Sequence, residues 1–246
     1  MSRVFDARKL SAIAIALVVA VLPLRPVVAA PTNPADQMPL DWPAVPNSTA
    51  ETLRAQSIAD KAHAAYVAKN YELAAALFGE LLKIKPGDAR VYFNRGNSYY
   101  KLQQLDRALD DFSEALRLAP DLVVALLNRG NMLLRTGHFA EAIADYDKAI
   151  ALKAENFLIF YNRGLALARL GNFSSAIESL SEAIRINPTD AWSYSARGDA
   201  FFAQGKLDAA RADYAKAIAL DPANTHAGQR LKELESEVNL PATIEK

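Results

Sequence analysis

The sequence predicts an all-α fold, an α-solenoid of five tandem helix-turn-helix units closed by a C-terminal capping helix. Three observations predict it. The stretch "YFNRGNSYY" at 92–100 returns as "LLNRGNMLL", "FYNRGLALA" and "YSARGDAFF", each 34 residues after the last. Within each 34-residue block the apolar residues keep helical spacing, as in "RALDDFSEALRL", where Ala108, Leu109, Phe112, Ala115 and Leu116 share one stripe. Small residues recur at fixed places opposite a bulky one, the pattern of two helices in close approach.

Before the blocks stand two segments of different character. Arg3, Arg8 and Lys9 precede the apolar run "LSAIAIALVVAVLPL" at 10–24, and small residues follow at Ala29 and Ala30. Residues 1–30 read as a secretory signal peptide cleaved after Ala29, because the run is shorter than the roughly 18–20 residues that span a bilayer. Export to a periplasm is the expected localisation. The alternative is an uncleaved segment that anchors the chain in the membrane facing the periplasm, and membrane contact is expected only in that case. Residues 31–47, "PTNPADQMPLDWPAVPN", carry five prolines and Trp42 and read as an extended linker.

The helical domain is expected over 48–240. "STAE" at 48–51 predicts a capping box from Ser48 to Glu51 that starts the first helix. The blocks are 55–88, 89–122, 123–156, 157–190 and 191–224. Their eighth place is Ala62, Gly96, Gly130, Gly164 and Gly198; their twentieth is Ala74, Ala108, Ala142, Ala176 and Ala210. The twenty-fourth is bulky: Phe78, Phe112, Tyr146, Leu180 and Tyr214. Glycine at the fifteenth place (Gly137, Gly171, Gly205) suits a left-handed residue ending the first helix, and Lys69 and Gln103 replace it in the first two blocks. Proline at the thirty-second place (Pro86, Pro120, Pro188, Pro222) stops the second helix, with Ala154 in its stead in the third block. Residues 225–239 space Leu231, Leu234 and Val238 along one stripe and predict the capping helix.

On these residues the blocks resemble tetratricopeptide repeats, a 34-residue helix-turn-helix unit. The resemblance covers about 170 residues and departs locally, at Asp60-Lys61-Ala62 in the first block and at the places just named. It implies that the sixth and ninth places of each first helix line a concave surface. There stand Asn94, Asn97, Asn128, Asn131 and Asn162, with Asp60, His63 and Asp199 toward the ends. Asparagine both donates and accepts, so a ladder of them can grip the backbone of an extended peptide. Beside the ladder the second, fifth, twelfth and thirteenth places bring Arg90, Phe93, Tyr100 and Lys101; Val124, Leu127, Leu134 and Arg135; Leu158, Tyr161 and Arg169; Trp192 and Phe202. The expected groove residues are Asn94, Asn97, Tyr100, Lys101, Asn128, Asn131, Arg135, Tyr161, Asn162 and Arg169. Some rungs of the ladder would instead bond neighbouring helices. The family's clamp for a C-terminal carboxylate needs lysines where Phe93 and Leu158 stand, so it is not expected.

Arginine recurs at the seventh place (Arg95, Arg129, Arg163, Arg197), with Asp111, Asp145 and Asp213 at the twenty-third place of three of the same blocks. Intra-repeat ion pairs Arg95–Asp111, Arg129–Asp145 and Arg197–Asp213 are expected, with Ser179 left opposite Arg163.

Composition narrows the function classes. Basic and acidic residues balance at 28 each, and removing residues 1–30 takes four basic and one acidic residue, leaving 24 against 27. Nothing in that balance selects nucleic acid. There is no cysteine, hence no disulfide or thiolate chemistry. His63, His138 and His226 lack metal-ligand spacing, no glycine-rich phosphate loop or nucleophile elbow occurs, and the adjacent Asp110 and Asp111 point apart on a helix. The expectation is a chain with no catalytic role, cofactor or metal, a scaffold or adaptor of the cell envelope that binds a protein or peptide partner. The alternative is a structural protein that assembles with further copies of itself.

Overall fold

The computed structural model describes residues 49–238, so the expected signal segment, the Pro-rich stretch and the last residues lie outside it. All regular structure among the described residues is helical. The helices are α1 (Ala50–Val67), α2 (Tyr71–Ile84), α3 (Ala89–Lys101), α4 (Leu105–Leu118), α5 (Val123–Thr136), α6 (Phe139–Ala151), α7 (Phe157–Arg169), α8 (Phe173–Ile186), α9 (Ala191–Ala203), α10 (Leu207–Leu220) and α11 (Thr225–Val238). They form two compact units, residues 49–136 with 144–154 and residues 137–143 with 155–238.

Each pair is closed by the same steric device. A Cβ built on Gly96 would lie 2.9 Å from the Phe112 ring, one on Gly130 2.9 Å from Tyr146, one on Gly164 2.7 Å from Leu180 and one on Gly198 2.7 Å from Tyr214. The eighth place is therefore glycine because the bulky residue at the twenty-fourth occupies the space a side chain would need. In the first unit Ala55, Ala62, Phe78, Leu81 and Val91 anchor one apolar core. In the second, Leu167, Ala168, Ala176 and Ala200 form a core, and Ala210, Tyr214, Ala217, Ala227 and Leu234 form another.

The turns follow from local chemistry. Gly137, Gly171 and Gly205 have φ of 86°, 78° and 73°, and Lys69 and Gln103 take the same turn at 60° and 59°. The left-handed conformation costs a residue bearing a Cβ roughly 1–2 kcal/mol. Asn70, Asp88, Asn156 and Asp190 cap α2, α3, α7 and α9 by accepting from Leu73, Arg90, Leu158 and Ser193 backbone N–H groups. At α1 the cap differs from the capping box expected from "STAE". The helix starts at Ala50, so Thr49 is the N-cap, and its Oγ1 accepts from Thr52 N at 3.4 Å.

The third block also ends differently. Its second helix, α6, stops one place earlier than its counterparts, and Lys153 is left-handed at φ 59°. Lys153 N donates to the Ile150 carbonyl at 2.8 Å and Ala154 N to that of Ala149 at 3.2 Å. Ala154 supplies an N–H that proline lacks, and it frees the preceding residue from the extended backbone that proline imposes.

Candidate functional site

The seventh-place arginines build the scaffold around the site. Arg95 donates twice to Asp111, at 2.8 and 2.7 Å, Arg129 twice to Asp145, at 2.8 and 2.7 Å, and Arg197 twice to Asp213, at 2.8 and 2.9 Å. Their carboxylates are buried and their guanidinium groups largely so. The bond to Asp111 holds the Arg95 charge above its ordinary pKa. Burial pushes the Asp111 carboxyl up, against the pull of Arg95. Two charge-assisted bonds in fork geometry offset that desolvation, and we assign both groups as ionised. The remaining nitrogen reaches back one repeat, Arg129 Nη1 to Ser113 at 3.4 Å and Arg197 Nη1 to Ser181 at 3.0 Å. Arg163 Nη1 donates to Ser179 Oγ at 2.7 Å. Sequence reading placed the intra-repeat pairs but missed the second reach, whose signal is serine at the twenty-fifth place of the block before.

The sixth- and ninth-place asparagines sit deeper than a groove lining. Asn94, Asn97 and Asn128 are buried at 2%, 0% and 2% exposure. Asn128 Nδ2 donates to Asn97 Oδ1 at 2.7 Å, joining α5 to α3. That bond spends half of each amide. Asn97 Nδ2 and Asn128 Oδ1 stay buried without a hydrogen-bond partner. Asn131 is half-buried and its Oδ1 accepts from the Tyr146 hydroxyl at 2.8 Å.

The other expected groove residues divide by exposure. Tyr100 is buried, and its hydroxyl accepts from Arg135 Nη1 at 3.1 Å, with the guanidinium 5.7 Å from the ring centroid. Tyr161 is buried in the second unit. Lys101, Arg135, Asn162 and Arg169 are half-buried, and burial holds the Arg169 guanidinium below its ordinary pKa. Phe93, Leu127, Leu134 and Leu158 were expected beside the ladder as groove wall and are core instead, each under a tenth exposed. A neighbouring helix covers the face that one helix in isolation would present. The accessible part of the expected site is therefore Lys101, Asn131 and Arg135 in the first unit and Asn162 and Arg169 in the second.

Asp199 stands at the ninth place of the last block and serves the capping helix. It is buried and accepts from the Tyr214 hydroxyl at 2.7 Å and pairs with His226 Nε2 at 2.9 Å; Arg230 Nε lies 3.6 Å away. Burial, then the charge of Asp199, pushes the Tyr214 hydroxyl far above its usual range. Arg230 also stacks over Phe202 at 4.3 Å from the ring centroid. Among the described residues no group of three or more metal-ligating side chains is found, and no helix is long and apolar enough to cross a membrane.

Residues 89–122 and 127–191 match family models described as tetratricopeptide repeat, and residues 198–227 match one described as TPR repeat. The chain belongs to the tetratricopeptide repeat family, with an all-α fold of the α-solenoid class. YrrB, described as a TPR protein with an unusual peptide-binding site, is a similar solved structure: TM-score 0.68, 20% identity, 75% of this chain and 98% of that chain covered. MamA from Desulfovibrio magneticus RS-1, in a form spanning residue 41 to its end, is similar at TM-score 0.66 and 18% identity over 70% of this chain and 97% of that one. MamA AMB-1 is similar at TM-score 0.63 and 25% identity over 69% and 99%. No curated protein matches the chain. Repeats of this family are protein-interaction modules, and the fold is that of an interaction scaffold.

Proposed function

We propose that this chain is a non-catalytic scaffold or adaptor of the cell envelope, exported by its first thirty residues, that holds an extended segment of a protein partner along its first helices. One observation carries the reading. Lys101, Asn131 and Arg135 of the expected groove keep accessible surface on α3 and α5 of one unit, two helices joined by the buried Asn97–Asn128 bond. Ammonium, guanidinium and amide N–H groups are donors that match the carbonyl oxygens of an extended peptide. Rigid packed helices hold these groups in place, so the ordering cost of binding falls mostly on the partner. The peptide-binding site named for YrrB supports the same use of the fold.

The test is a crosslinking pull-down from the native envelope that compares the wild type with the double variant Lys101→Ala/Asn131→Ala, with urea unfolding to check that the variant stays folded. Loss of the crosslinked partner from the folded variant supports recognition by this face, and its retention removes the face from recognition. N-terminal sequencing of the protein from the envelope is expected to begin at Ala30; full-length protein confined to the cytoplasm would overturn the export reading. Light scattering is expected to give one monomer mass at all concentrations, whereas a rising mass would assign the face to a second copy of the chain.

A further inference from the structure

We propose, resting on the binding face above, that the partner segment is acidic and that its side-chain carboxylates engage Arg135 and Lys101. In the three central repeats the first helices carry cations alone, whereas the second helices carry both signs. The first helices α3, α5 and α7 hold Arg90, Arg95, Lys101, Arg129, Arg135, Arg163 and Arg169 and not one acidic residue. The second helices α4, α6 and α8 hold the acids Asp106, Asp110, Asp111 and Glu114; Glu141, Asp145 and Asp147; Glu178 and Glu182, together with the bases Arg107, Arg117, Lys148 and Arg185. Within the first unit α3 and α5 thus carry charges of one sign, and such a pair selects its partner by charge.

The arginines of that face are not equivalent. Arg95 and Arg129 are committed to the buried Asp111 and Asp145, and Arg90 is paired with Asp88 at 2.9 Å at its own helix start. Arg135 differs. Its partner is the neutral Tyr100 hydroxyl, and among the described residues no carboxylate pairs with it. Arg135 is half-buried, with its guanidinium 5.7 Å from the Tyr100 ring centroid, a contact that fixes its position. Lys101 occupies the same thirteenth place one repeat earlier in the same unit and is half-buried as well. In the second unit α7 ends on Arg169 at that place. Within the first unit Lys101 and Arg135, one repeat apart, suit acidic side chains spaced along an extended segment. A single terminal carboxylate is the poorer match, since Phe93 and Leu158 occupy the places its lysines would need.

The experiment measures fluorescence anisotropy of three short labelled peptides against the full chain: alternating Glu-Ser, Gln-Ser and Lys-Ser, each with an amidated C-terminus. The Glu-Ser peptide is expected to bind at least about tenfold more tightly than the Gln-Ser peptide at low salt, with the gap closing at high salt. Arg135→Gln is expected to remove most of that preference with thermal unfolding unchanged, and Arg135→Lys to retain part of it. Tyr100→Phe, which removes the bond and keeps the charge, separates a structural effect from an electrostatic one and is expected to preserve the preference. Equal affinity for Glu-Ser and Gln-Ser, or a preference untouched by Arg135→Gln and by Lys101→Gln, would overturn the inference and leave the binding face standing. Failure of all three peptides to bind would overturn both.

Discussion

The ninth place of one first helix meets the sixth place of the next in two chemical versions. In the first unit Asn97 meets Asn128, a neutral rung with a donor and an acceptor left over. In the second unit Asp199 meets Arg230, an ionic rung whose carboxylate also accepts from Tyr214 and pairs with His226. Counted in the same register, α11 stands where the first helix of a further repeat would. Arg230 holds the sixth place, and the exposed Lys232 stands at the eighth, where the complete repeats keep glycine or alanine to admit the partner helix. The comparison teaches how one geometry serves two ends. The ionic rung fixes the capping helix α11 and the neutral rung joins two complete repeats, and each keeps buried polar atoms without a partner, Arg230 Nη2 in the one and Asn97 Nδ2 and Asn128 Oδ1 in the other.

Asp199→Ala breaks the comparison hardest. It strands the Tyr214 hydroxyl and takes one of two carboxylates from Arg230, Glu233 at 2.6 Å remaining, and is expected to cost about 2–3 kcal/mol in urea unfolding, with faster hydrogen exchange in α11. Asp199→Asn converts the closed rung toward the neutral version and is expected to cost about half as much. Wild-type stability in both would show that apolar packing alone holds α11.

Arg129→Ala lies outside both rungs and calibrates the scaffold. Leaving buried Asp145 unpaired is expected to cost about 3 kcal/mol, with partner affinity per folded molecule unchanged. Arg129→Lys should recover little, because an ammonium cannot make the two-pronged bond. Lost affinity at undiminished stability would move this arginine into recognition.

The neutral rung should behave non-additively. Asn128→Ala alone is expected to cost about 1–2 kcal/mol by orphaning Asn97, and adding Asn97→Ala should cost little more or recover part of it. Strict additivity in the double-mutant cycle would mean that the amides do not act as a pair. The smallest effect is a gain. Gly79 holds the twenty-fifth place that Ser113 and Ser181 hold elsewhere, and a Cβ there would lie 3.8 Å from Arg95 Nη1. Gly79→Ser is expected to stabilise by about 0.5–1 kcal/mol, from helix propensity and one added bond, and unchanged urea midpoints would dismiss that bond.

Much of the scaffold is readable in the amino-acid order because its rules act within one repeat. Glycine at the eighth place and a ring or leucine at the twenty-fourth define a helix contact by size alone. Arginine at the seventh and aspartate at the twenty-third sit sixteen residues apart, across one turn, and the fork geometry follows. The cap of α1 was misplaced by one residue because Ser48 and Thr49 are chemically equivalent as caps.

The candidate site was only partly legible. The places themselves follow from periodicity, but exposure does not. Asn94, Asn97, Asn128, Phe93 and Leu158 look outward on a single helix and are covered once the neighbouring helices pack, while Arg135, at the last turn of α5, keeps part of its surface. The sequence by itself determined the helix pairs, their turns and their internal ion pairs, since each depends on sterics and charge between residues of one repeat. Tertiary structure alone decided which amides are spent, that Asp199 anchors the cap, and which cations remain accessible, since each depends on atoms that a different repeat brings into contact.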